Sequence, residues 1–187
     1  MSLQQAAVLL PIFLHAKQQP AELLLIQRAK TLNYHPGQLA FPGGKYELTD
    51  RDLAHTALRE AEEEIGLRPE DVRIITQLPS HETVSGFCMT PFVGLVENAR
   101  LEDLRRDPLE VDSIIAVPMQ FLFEQAQFKQ QILQDRQYAN LTLQGRIINK
   151  RADVNENWYC WGATATILYQ WVQNSNWNST TQIGTPL

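Results

Sequence analysis

A mixed α/β or α+β sandwich is the fold class that three features of the sequence predict. Short apolar runs of strand length recur along the chain, many spaced as hairpins. A middle segment carries an apolar stripe at helical spacing, and a second apolar helical segment follows near the end.

The elements follow in chain order. Ala6 to Leu14 and Glu22 to Arg28 read as two strands joined by a polar turn containing Pro20, which predicts a hairpin. "NYHPGQLAFPGGK" reads as a Gly- and Pro-rich loop with a short strand at Leu39 to Phe41. The clearest helix follows. Ala54, Ala57, Leu58, Ala61 and Ile65 form one stripe, Thr49 or Asp50 is placed to cap the start, and Gly66 to end it. Val72 to Leu78 and Cys88 to Val96 read as strands around the loop "PSHETVSGF". The charged stretch Asn98 to Asp112 reads as a surface loop, Ile114 to Val117 as a strand, and a helix is predicted from about Met119. Phe128 to Trp161 supplies further strands, "WGATATILYQWVQN" a closing helix, and residues 175–187 a loose tail.

With 187 residues, 44% of them hydrophobic and 20% charged, the chain suits one domain, taken as residues 1–187. Cys88 and Cys160 have no paired ligand spacing, so they read as core thiols, which favours a reducing cytoplasm. The apolar start from Ala6 to Leu14 is too short to cross a bilayer and is interrupted by Pro11, so no membrane partner is expected. The net charge of −5 argues against bulk binding of nucleic acid. Its distribution is more telling. Leu23 to Tyr46 contains no acid but has Arg28, Lys30, Lys45 and His35, whereas Glu47 to Asp71 has nine acids against three arginines.

The acidic part centres on "TALREAEEEIGL", which puts four glutamates into five positions. On a helix Glu60, Glu63 and Glu64 share one face beside the apolar stripe, at the exposed edge, while Glu62 points elsewhere. Such like-charge neighbours repel, so either water screens a solvated acidic face or a hard divalent cation compensates. Arg59 lies one turn before Glu62 and Glu63 and can hold a carboxylate in place, as a metal site requires. Upstream, "FPGGK" supplies glycines whose backbone can approach a ligand closely, or simply a turn.

These residues resemble the signature box of the Nudix hydrolases. Gly44 matches its first glycine, and Arg59, Glu60, Ala61, Glu63, Glu64, Gly66 and Leu67 match its end. Asp50 stands where the family has its first glutamate, and eight residues rather than seven separate it from Arg59. The longer spacer is similar to the coenzyme A pyrophosphatase branch, as is the upstream "LLIQRAKTLNYHPGQLAFPGG". There Leu24, Leu25, Arg28, Ala29, Gly37, Phe41, Pro42, Gly43 and Gly44 fit, whereas Ile26 replaces a usual threonine and Asn33 a usual arginine. Further similarity in "SGFCMTPFVGLV", "LEVDSIIAVPM" and "YCWGATATIL" extends the resemblance from about Ala6 to Trp171.

The resemblance implies a Nudix α/β/α sandwich with a mixed sheet and the box as loop, helix, loop. It implies Mg²⁺ or Mn²⁺ held by Glu60, Glu63 and Glu64 with Gly44, one glutamate serving as general base and Arg59 orienting the set. Arg28, His35, Gln38 and Lys45 are the expected substrate contacts, although Lys45 also suits a plain solvent-facing role. Glu110 either completes the metal shell or is a solvated loop acid. His81, like His35, lies in a polar loop from which it can touch substrate, and Trp158 and Trp161 read as core residues rather than base-stacking platforms. The implied reaction is cleavage of the pyrophosphate of coenzyme A to 3′,5′-ADP and 4′-phosphopantetheine. Its rivals are another nucleoside diphosphate derivative, such as ADP-ribose, a dinucleotide or a nucleoside triphosphate, and a non-catalytic nucleotide sensor. A homodimer is left open as a partner state.

Overall fold

The computed structural model describes residues 3–14, 21–133, 136–148 and 156–175. The turn around Pro20 and all of the expected tail beyond Ser175 lie outside them. The strands are β1 (Gln4–Phe13), β2 (Glu22–Arg28), β3 (Leu39–Ala40), β4 (Gly43–Lys45), β5 (Val72–Gln77) and β6 (His81–Glu82). They continue as β7 (Phe87–Val96), β8 (Val111–Pro118), β9 (Lys129–Leu133), β10 (Arg136–Ile147) and β11 (Glu156–Trp161). Two α-helices accompany them, α1 (Leu53–Ile65) and α2 (Gly162–Asn174).

The strand order is β11-β10-β8-β2-β1-β7-β5, with the short strands β3, β4, β6 and β9 attached to β2, β1, β7 and β10. β1 runs parallel to β7 over its full length and antiparallel to β2, so the sheet is mixed. Both of its faces are covered. Along β1, Val8, Leu10 and Ile12 enter the core beneath α2, and Ala7, Leu9 and Phe13 enter the core beneath α1. In β2, Leu23 and Leu25 face one side and Leu24 and Ile26 the other, which is why "LLLI" is apolar without alternation. The result is the α/β/α sandwich.

The stripe of α1 docks as its spacing predicts: Ala57, Ala61 and Ile65 are fully buried, with Ala54 and Leu58 packed beside them. Its cap differs from expectation. Asp52, not Thr49 or Asp50, accepts the His55 N–H at 2.8 Å, because Asp50 is buried and serves other donors. Gly66 ends the helix at φ 69°, donating to Ala61 and Glu62 carbonyls.

Other expectations need correction. Asn98 to Asp112 is more than a surface loop: Leu101 and Leu104 are buried, and Arg105 and Asp107 donate backbone N–H groups to the Ile65 and Glu64 carbonyls. The segment thereby satisfies carbonyls that the last turn of α1 leaves free. β4 and β6 form where loop was expected. The helix expected from about Met119 is only a short π-helix over Phe121–Gln125. Cys160 is buried, which pushes its thiol up to about 12, but Cys88 is only half-buried. Trp161 is 44% exposed, so it is not a core residue, whereas Trp158 packs partly buried against the core.

Candidate active site

Residue Asp50 anchors the start of the box. It is 4% exposed, and its carboxylate accepts from Arg59 Nε and Nη2, Thr56 Oγ1 and the Glu47 N–H at 2.9–3.2 Å. His55 Nδ1 lies 3.0 Å from Oδ1. The Arg59 hydrogen bonds hold Asp50 well below the usual carboxylate range, despite the opposing effect of burial. The same guanidinium meets Glu63 at 2.9 Å, Glu60 at 3.0 Å and the Lys45 carbonyl at 3.2 Å. Of the two carboxylates Arg59 was expected to reach, it takes Glu63; Glu60 and Asp50 are its further partners.

The glutamate face is graded in depth rather than lying along an exposed edge. Glu63 is exposed, Glu60 is half-buried, and Glu64 is 2% exposed. Desolvation pushes Glu64 up to about 8, opposed by a hydrogen bond from the Gly43 N–H at 2.9 Å and by Arg28, and assisted by Glu60 and Glu110. Glu60 is raised for the same leading reason, burial. The exposed Glu110 reaches this group because Ala29 donates its N–H to the Glu110 carbonyl at 2.8 Å, tying the loop to the end of β2.

Both glycines of "FPGGK" are required by close approach. A Cβ on Gly43, whose φ is 156°, would fall 2.4 Å from the Ala7 carbonyl oxygen. A Cβ on Gly44 would fall 2.3 Å from Glu60 Oε1.

The other candidates gather in one cleft of about 640 Å³. Arg28, His35, Gln38, Gly44 and Lys45 all line it, and no Asp or Glu is among its described lining residues. Arg28 Nε is buried without a hydrogen-bond partner among the described residues. His35 holds the unusual φ of 56°, and its Nδ1 pairs with Gln38 Oε1 at 3.0 Å, so this loop presents the two side chains together. Lys45 Nζ sits over the Phe87 ring at 5.4 Å, a contact that orients it as no freely solvated lysine would be. Sequence reasoning did not single out Tyr138, on β10, and it misassigned Trp161; both line the cleft.

The donor set suits a hard divalent cation. Glu60, Glu63, Glu64 and Glu110 offer carboxylate oxygens, two of them raised by burial and mutual repulsion, and the glycine pair keeps the space beside Glu60 free of side chains. Among the described residues no three such side chains already converge on one point, since Glu60 and Glu63 both turn to Arg59.

Comparison with known proteins agrees with this arrangement. Residues 3–135 match the NUDIX domain family. The chain is 36% identical over 171 residues to the uncharacterized Nudix hydrolase NudL of Pectobacterium atrosepticum, covering 89% of this chain and 80% of that protein. It is 37% identical to the NudL protein of an Enterobacter species, covering 88% and 79%. Among solved structures it is similar to the Nudix hydrolase RenU of M. smegmatis, with a TM-score of 0.52 and 20% identity over 65% of this chain and 74% of that one. A MutT/nudix family protein of Enterococcus faecalis gives 0.51 and 16% over 84% and 51%. These two structures share the sandwich. With the family match over most of its length and relatives above a third identical, the chain belongs to the Nudix family, as one of its hydrolases.

Proposed function

We propose that this protein is a divalent-metal-dependent pyrophosphohydrolase acting on coenzyme A or its derivatives. The family as a whole uses divalent metals on small nucleotide-derivative substrates. The observation that carries the finer reading is a cleft with no acid among its described lining residues, in a chain of net charge −5, that opens beside the acidic face of α1. Gly43 and Gly44 are common to both, contacting Glu64 and Glu60 on one side and lining the cleft on the other. The retained upstream signature, with Arg28 at its centre, points to coenzyme A among pyrophosphates.

In this mechanism Glu60, Glu63 and Glu64, with the Gly44 carbonyl, would hold Mg²⁺ or Mn²⁺. When bound, the cation neutralises phosphate oxygens, polarises phosphorus and makes a bound water more acidic. Arg59, clamped by Asp50, sets the direction of Glu60 and Glu63. Arg28 and Lys45 bind pyrophosphate oxygens, with His35 and Gln38 beside them. Water adds to one phosphorus as the bridging P–O bond breaks, a glutamate of the set takes the water proton, and the bridging oxygen leaves with the other phosphate. Coenzyme A would yield 3′,5′-ADP and 4′-phosphopantetheine. Steady-state kcat/KM over coenzyme A, ADP-ribose, dinucleotides and nucleoside triphosphates, with products identified, tests the reading. Coenzyme A is expected to lead; a tenfold preference for ADP-ribose would overturn the substrate and keep the pyrophosphohydrolase.

A further inference from the structure

One wall of the cleft has no role in the reaction described above. Tyr138 of β10 lines it, is 7% exposed, and has a buried hydroxyl without a hydrogen-bond partner among the described residues. Native interiors leave few such groups, because an unpaired buried hydroxyl forfeits its hydration for nothing. The His81 ring, also in the cleft lining, meets the Tyr138 ring edge-on at 6.3 Å between centroids. On the neighbouring strand, Trp161 pairs in register with Asn140, is 44% exposed, and is among the residues that line the same cleft. Tyr34 lines it too and is 79% exposed. Large aromatic faces kept in water beside a dry hydroxyl call for a ligand that is flat and apolar on its faces and polar at its edge.

We propose that Tyr138 and Trp161 form the subsite for the nucleobase of the substrate. Trp161 supplies the stacking face, and the Tyr138 hydroxyl hydrogen-bonds a ring nitrogen or exocyclic group. This rests on the reading that the pyrophosphate lies beside Gly43 and Gly44, and it adds the orientation: the nucleoside half, rather than the thiol or acyl half, turns toward β10 and β11. An acyl chain in this place would seal the Tyr138 hydroxyl in hydrocarbon, the one outcome a buried donor disfavours most. A base satisfies it.

The test is calorimetric binding to the full chain with adenosine 3′,5′-bisphosphate, 4′-phosphopantetheine and inorganic pyrophosphate as separate probes. For Tyr138→Phe and Trp161→Leu we expect bisphosphate affinity to fall roughly tenfold or more, the scale of a lost hydrogen bond or stacking face, with pyrophosphate affinity unchanged. Trp161→Phe, which keeps a ring, should recover part of the loss. Unchanged bisphosphate affinity would overturn the subsite. So would a loss confined to 4′-phosphopantetheine, which would seat that half here, or an equal loss for pyrophosphate, which would make both residues merely structural. Intact base binding in a protein that fails to hydrolyse coenzyme A would support the subsite and remove only the choice of substrate.

Discussion

Gly44 and Asp50 carry the sharpest residue-scale consequences. A methyl at Gly44 lands on the Glu60 carboxylate, the end of a flexible side chain, so Glu60 can yield while the backbone stays. Gly44→Ala is therefore expected to lower kcat at least tenfold, on the scale of a displaced catalytic group, with a melting temperature close to that of the parent. Equal activity in a steady-state assay would argue against a role for Glu60 at this spot. Asp50 is the reverse case, a buried carboxylate whose removal strands Arg59. Asp50→Asn should destabilise by about 3 kcal/mol, the scale for breaking a buried pair. Because its folded pKa is depressed, the stabilisation is present above the unfolded value of 3.8 and is lost as pH falls below it. The gap between parent and Asp50→Asn in urea unfolding should thus be constant from pH 7 to 5 and shrink below pH 4; a gap that stays constant to pH 3 would contradict the clamp.

At the scale of the element, α1 is held from both ends by features its own periodicity does not contain. Asp52 caps its start, and the backbone of Arg105 and Asp107 closes its end. Asp52→Ala should cost about 1 kcal/mol in chemical denaturation, the usual worth of an N-cap, with kcat unaltered. Thr49→Ala, at a position the local sequence favours equally well for capping, should cost nothing measurable; the opposite pair of results would mean that the helix begins earlier. The two caps are hard to separate in sequence because Ser, Thr, Asp and Asn compete for the role and tertiary contacts decide. Here a buried network of five donors had already claimed Asp50.

Over the whole molecule, the acids Glu60, Glu63, Glu64 and Glu110 come from a helix and from a loop more than forty residues later, and their repulsion is a tension that a bound cation would relieve. Mg²⁺ or Mn²⁺ at a hundred times its dissociation constant adds about 2.7 kcal/mol by linkage, which for a chain of this size raises Tm by roughly 5 to 10 °C. Differential scanning calorimetry with and without chelator measures it, and a melting temperature indifferent to both ions would remove the metal assignment. No helix among the described residues is long and apolar enough to cross a membrane.

What the sequence alone determined is whatever depends on neighbours in the chain. The stripe of Ala57, Ala61 and Ile65, the unbroken apolar β2 and the pairing of β1 with β2 could be read from spacing, because helix and strand periods are local, and the Nudix box from its resemblance to the family signature. Only the tertiary structure decided depth and company. Glu64 looks like its neighbours in sequence, yet it is buried, because the residues covering it come from the Gly43 and Asp107 segments. Trp161 looks like core, yet it stands open, because it lies on the outer face of β11 with the exposed Asn157 and Tyr159, at the rim of the cleft. Burial is a sum over surfaces that meet only when the chain is folded, so spacing can order residues along an element but cannot tell which of them water will reach.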